Sequence, residues 1–163
     1  MNIVLLEPEI PQNTGNIART CACTGSSLHL IEPLGFSLNE KYVKRSGMDY
    51  WDQVDLHRYD CYADFLERNP DARIWYATTK GKILYTEADF RPDDFLMFGK
   101  ESAGIPEEIL AKHRDRCIRI PMGSGFRSLN LANSAAIVLY EALRHFGFEG
   151  LELEGQLHRL HYE

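Results

Sequence analysis

Short, unbroken apolar runs alternate along this chain with stretches in which apolar residues recur every three or four positions. Residues 2–6 (NIVLL) and 28–32 (LHLIE) are of the first kind and predict buried strands. Between them Thr14 to Gly25 predicts a helix that ends near Gly25, with Gly15, Ala18 and Ala22 small enough for close packing. Residues 39–47 (NEKYVKRSG) predict a short helix, 55–59 a weak strand, and 60–69 a helix stopped by Pro70. Strand 73–79, a turn at Lys80-Gly81, strand 94–99 and a short helix starting at Pro106 follow. Strand 117–121, a glycine-containing loop and a long helix from about 130 to 146 close the pattern. Such alternation implies an α/β fold with a mostly parallel sheet flanked by helices. The remainder, 148–163, is acidic and weakly periodic, and reads as a partly loose tail.

The long helix carries the clearest periodicity. Leu131, Ser134, Ala135, Val138, Leu139, Ala142, Leu143 and Phe146 make one stripe, expected to pack on the sheet. Ile137 and Tyr140 project from the other side, so the helix needs a second partner. Another copy of the chain and a second layer of the same domain are equally compatible with the pattern.

Composition adds limits. A length of 163 residues suits one compact domain, 1–163, with a core large enough to need no disulfide or metal staple. No apolar run approaches a membrane span, and the start lacks the basic region of a signal peptide. Cys21, Cys23, Cys61 and Cys117 form no C-x-x-C pair, so they read as buried thiols of a protein in a reducing, cytoplasmic compartment. The formal net charge of −6 argues mildly against a nucleic-acid partner. An RNA-binding reading must therefore rest on local patches: Lys41, Lys44 and Arg45, and then Lys112, Arg114, Arg116 and Arg119. Each patch taken alone reads as a solvated face.

Candidate chemistry gathers in three loops that follow three predicted strands: Thr78 to Gly81, Gly99 to Pro106, and Pro121 to Asn130. Ligands of open α/β sheets bind beyond the carboxyl ends of strands. The run Gly-Ser-Gly-Phe-Arg-Ser at 123–128 lacks the third glycine of a dinucleotide fingerprint, and no complete βαβ unit follows it, which disfavours an oxidoreductase. Lys80-Gly81-Lys82 is not a phosphate loop, the six histidines are scattered, and no serine–histidine–acid set or zinc motif is visible.

Together, three signatures carry a resemblance. They are Glu7-Pro8-Glu9-Ile10-Pro11-Gln12-Asn13-Thr14-Gly15-Asn16-Ile17-Ala18-Arg19; Phe98-Gly99-Lys100-Glu101 through Gly104-Ile105-Pro106; and Ile118 to Met122 with Arg127 to Ser134 and Tyr140-Glu141-Ala142. Over residues 2 to about 147 the chain resembles the SPOUT methyltransferases, and closely the family of tRNA (cytidine/uridine wobble) 2′-O-methyltransferases. The resemblance implies an α/β fold with a C-terminal trefoil knot, S-adenosylmethionine as cofactor, the tRNA anticodon loop as substrate, a homodimer and no metal. Residue by residue it implies a cofactor pocket of Ala77, Thr78, Gly99, Glu101, Ile120, Met122, Ser128, Leu129 and Asn130. Arg19, Asn16 and Tyr140 would serve catalysis, and Lys41, Lys44 and Arg45 would bind RNA. Without the resemblance, Ile120 and Met122 read as ordinary core.

Arginine is essentially never deprotonated in proteins, so Arg19 is expected to position phosphate and stabilise a developing alkoxide rather than act as a base. Gly99 is expected to let the ligand approach the backbone, so that Gly99→Val abolishes cofactor binding and leaves the fold intact. Alternatives are a related enzyme acting on rRNA or another tRNA position, and a non-catalytic RNA-binding dimer.

Overall fold

The computed structural model describes residues 1–38 and 51–160. The short helix expected at 39–47, and with it Lys41, Lys44 and Arg45, lies outside the described residues. Seven strands form one sheet: β1 (Asn2–Leu6), β2 (Ser27–Ile31), β3 (Leu56–Tyr59), β4 (Ile74–Ala77), β5 (Ile83–Leu84), β6 (Phe95–Phe98) and β7 (Cys117–Arg119). Their order is β3-β2-β1-β6-β4-β7-β5, and every pairing is parallel. The chain first builds outward from β1 to β3, then returns to build the other half. Its direction reverses beside β1, the switch point at which such sheets open a crevice.

Helices cover both faces. Helix α1 (Pro11–Thr24) and helix α4 (Leu131–His145) lie on one, helix α2 (Tyr62–Arg68) and helix α3 (Glu107–Lys112) on the other. Alternation along the strands explains this division: Ile3 and Leu5 join Leu28, Leu30, Leu96 and Phe98 under α1 and α4. Val4 and Leu6 join Ile31, Met97, Phe65 and Leu110 on the opposite side. From Ile3 to Leu6, β1 is therefore apolar without a break because it is buried on both faces.

Most predicted elements are present, with shifted ends. Helix α1 starts at Pro11, three residues before the expected Thr14, because proline at the first helical position forfeits no hydrogen bond. It stops at Gly25, whose φ of 63° closes the C-terminus through its N–H to the Cys21 carbonyl. Pro106 is the residue before α3 rather than its first member. Strand β5, which the apolar pattern does not predict, is only two residues long and pairs at the sheet edge with β7. Two cysteine expectations fail: Cys23 and Cys61 are exposed, while Cys21 and Cys117 are buried. Cys23 lies two residues beyond Cys21 on α1, on the opposite side of the helix. The start of the tail is seated, with Phe148 and Leu151 packed against the same core cluster as α1 and α4.

Candidate active site

The carboxyl ends of β6, β4 and β7 stand side by side, with Phe98 opposite Ala77 and Ala77 opposite Ile118. The three loops that leave them surround one cavity of about 560 Å³. This is within the range of about 300–1,000 Å³ common for small-molecule and cofactor sites. All nine residues expected at a cofactor pocket line it: Ala77, Thr78, Gly99, Glu101, Ile120, Met122, Ser128, Leu129 and Asn130. Ile118, Ile120, Met122 and Leu129 supply apolar wall, and Thr78, Lys100, Ser128 and Asn130 bring polar side chains to it.

Each loop is braced from within. The first is held by the Thr78 N–H donating to the Ile118 carbonyl (2.9 Å) and the Gly81 N–H to the Thr78 carbonyl (3.3 Å). Arg119 adds a hydrogen bond to the Thr79 carbonyl. The second loop closes when the Gly104 N–H donates to the Lys100 carbonyl (2.8 Å), with Gly104 at a φ of 73°. Gly99 lies against this closure. A Cβ on it would stand 2.1 Å from the Gly104 carbonyl carbon and 2.2 Å from the Ile105 nitrogen. The expectation for Gly99 is thus corrected: the position is closed to a side chain by the loop's own backbone, so Gly99→Val cannot leave the local fold intact.

The second loop is also clamped onto the segment between β1 and α1. Lys100 Nζ meets Glu7 Oε2 at 2.7 Å, and this carboxylate raises the Lys100 pKa. Glu101 accepts from the Glu9 N–H (2.8 Å), the Ile10 N–H (3.3 Å) and Asn13 Nδ2 (2.9 Å). Glu9 in turn accepts from the Ser102 hydroxyl (2.8 Å) and N–H (2.9 Å), which hold its carboxyl below the usual range. Both Glu101 oxygens are therefore engaged within the protein, at the positive N-terminal end of α1.

Asn13 is a member of the site that the sequence does not single out. It is buried, lines the cavity, and links Glu101 to Asn130, whose Nδ2 donates to Asn13 Oδ1 at 3.0 Å. Asn130 Oδ1 also caps α4, accepting from the N–H groups of Ala132 (2.9 Å) and Asn133 (3.2 Å). Local sequence gave no sign of Asn13's role, because its partners lie about ninety or more residues away.

The expected catalytic residues stand apart from the cavity wall. Asn16 and Arg19 are on the exposed side of α1, one and two turns beyond Asn13. Tyr140, exposed on α4, borders a separate groove with Cys23, Phe148 and Leu151. The structure therefore gathers the cofactor candidates but does not bring the catalytic candidates into the same pocket within one chain.

Comparisons with known proteins agree with this geometry. The model of the SpoU rRNA methylase family matches residues 1–140. A relative from Escherichia coli K12, named a tRNA (cytidine(34)-2′-O)-methyltransferase, is 46% identical over 154 residues, covering 94% of this chain and 98% of its own. A solved structure described under structural insights into 2-OH methylation of C/U34 on tRNA is 48% identical, with a TM-score of 0.83 over 90% of this chain and 95% of that one. An AdoMet-bound rRNA methyltransferase from Sinorhizobium meliloti is 28% identical, with a TM-score of 0.77 over 88% of this chain and 56% of that one. By family match and by near-half identity along almost its whole length, the chain belongs to the SpoU methylase family.

Proposed function

We propose that this protein methylates the ribose 2′-OH of the wobble nucleotide, cytidine or uridine, of tRNA, with S-adenosylmethionine as methyl donor. The observation that carries the reading is the single cavity at the carboxyl ends of β4, β6 and β7, lined by all nine expected cofactor residues. Its chemistry suits the cofactor: adenine needs a flat apolar slot, which Ile118, Ile120, Met122 and Leu129 offer, and polar groups at its edge, which Thr78 and Ser128 offer. When bound, the cofactor supplies a methyl group already activated by its sulfonium. The chain is left with positioning and proton removal. Glu101, Asn13 and Asn130 hold the cavity's segments in register. Arg19 positions phosphate and steadies charge developing on the 2′-oxygen, with Asn16 one turn away to hold Arg19 or the ribose. This chemistry requires no metal.

Asn16, Arg19 and Tyr140 belong to the α1/α4 side of the molecule, where Ile137 and Tyr140 are exposed. A second copy docked there makes a homodimer and brings the reactive groups to the substrate. Lys41, Lys44 and Arg45 grip the tRNA backbone near the anticodon loop, and replacing Lys44 and Arg45 by glutamate should weaken tRNA binding and spare the cofactor. The C-terminal segment carries the family's trefoil knot, the domain spans 1–163, and the enzyme works in the cytoplasm. The test is transfer from labelled S-adenosylmethionine to purified tRNA, followed by mass spectrometry of the nucleosides. Methylated ribose at position 34 is the expected product. Methylation of rRNA or of another tRNA position would replace this reading with the alternative enzyme. Cofactor-free RNA binding without transfer would replace it with the non-catalytic one.

A further inference from the structure

Phe126 has the most exposed large apolar side chain among the described residues, at 78%. It lies in the loop between β7 and α4, whose members Met122, Arg127, Ser128 and Leu129 line the cavity. Gly125 adopts a φ of 90°, a turn few other residues make, and the Phe126 ring then leans over Gly123 instead of entering the core. Single exposed apolar residues are ordinary. This one is joined to Arg127, an exposed residue that lines the cavity and forms no salt bridge among the described residues.

An exposed ring followed by a rim cation is the pairing that holds unstacked nucleotides: the base lies on the aromatic face and the phosphate meets the arginine. Methylation of a ribose makes the same demand here. The 2′-OH must enter the cavity while its base stays outside, which requires a surface on the rim to receive it. We propose that Phe126 is the stacking platform for a substrate base at or next to the methylated nucleotide, with Arg127 on the adjoining phosphate. The inference rests on the methyltransferase reading above and assigns a substrate-binding residue to it.

The test uses the full-length protein, S-adenosylmethionine and a short stem-loop RNA bearing the anticodon, with 2-aminopurine placed beside the wobble position. Phe126→Ala should raise the RNA Kd and KM about tenfold or more, given the usual strength of base–aromatic stacking. Phe126→Leu, apolar but without a π face, should stay weak, and Phe126→Trp should recover RNA binding. Quenching of 2-aminopurine on binding should be strong for the parent and the tryptophan variant and weak for the alanine and leucine variants. Cofactor affinity, sedimentation and thermal unfolding should match the parent in all three. Parental RNA affinity in Phe126→Ala, or in Phe126→Leu, overturns the platform. So does a changed sedimentation coefficient, which would assign Phe126 to a protein contact. If the parent binds the RNA with quenching but transfers no methyl group, the functional reading fails and the platform stands. If the parent neither binds nor methylates the RNA, both fail.

Discussion

Asn130 donates from its side-chain amide to Oδ1 of Asn13, 117 residues earlier, at 3.0 Å. One residue caps α4 and the other sits in the first turn of α1, so this contact ties the starts of two helices that both border the cavity. Through Asn13 it also reaches Glu101 and the loop after β6. Removing the amide should loosen all three. Asn13→Ala is expected to cost about 1–3 kcal/mol of stability, the range for stranding buried polar partners. It should also weaken S-adenosylmethionine binding, read by calorimetry. Asn13→Asp sets a second carboxylate beside Glu101 and should be worse than alanine at neutral pH. Parental cofactor affinity in Asn13→Ala would show that the link does not shape the cavity.

Gly99→Ala places a methyl group within 2.1 Å of the Gly104 backbone. Loop 99–105 must move to admit it, so stability and cofactor affinity should fall together. A variant that loses cofactor while unfolding at the parent's denaturant midpoint would restore the idea that Gly99 is required only for ligand approach.

Asp94 makes a contrasting case at the other end of the sheet. Its buried carboxylate accepts from Arg73 Nη1 (2.6 Å), Trp75 Nε1 (2.8 Å) and the Arg91 N–H (2.9 Å). Asp94→Ala leaves those donors, including a cation, without their acceptor and should destabilise the fold by about 3–5 kcal/mol. Urea unfolding measures this loss. Cofactor affinity, measured on the folded fraction at low temperature, should not change.

His29 sets a pH dependence. Buried beneath α2, it bonds Tyr59 Oη at 2.8 Å and stacks on His57 with ring centroids 4.5 Å apart, while Asp55 and Arg68 also act on it. Burial, and then His57, push its pKa down from 6.5 to about 4. Between these values the unfolded chain binds a proton that the folded chain refuses. This contribution to stability is therefore constant above pH 6.5, falls as the pH drops towards 4, and then levels off. The lowered pKa corresponds to a loss of about 3 kcal/mol across the window. Denaturant midpoints at pH 7.5 and 5 should reveal it, and His29→Gln should flatten the slope. An unchanged slope would assign the acid sensitivity to other groups.

Arg19→Ala should bind S-adenosylmethionine as the parent does and lose methyl transfer in single turnover more than it loses tRNA affinity. A parental rate would remove Arg19 from the reactive centre and direct attention to groups inside the cavity.

By itself the sequence determined the parts of this protein that depend on neighbours in the chain. Strand NIVLL, the stop of α1 at Gly25 and the apolar stripe of α4 follow from periodicity and local backbone preference. Family signatures added the nine cavity residues, since a motif carries the result of tertiary contacts without displaying them. Only the tertiary structure decided strand order, and strand order makes the site: β4 lies between β6 and β7 in the sheet, although β5 is the strand that follows it in the chain. It likewise decided that Gly99 is required by the backbone of Gly104 and that Glu101 spends its carboxylate on the start of α1. It alone revealed Asn13, an unremarkable helical residue until Glu101 and Asn130 come within hydrogen-bonding reach. The physical reason is the same in each case: periodicity reports which face of an element is buried, whereas a hydrogen bond between residues 117 apart depends on where the whole sheet places their helices.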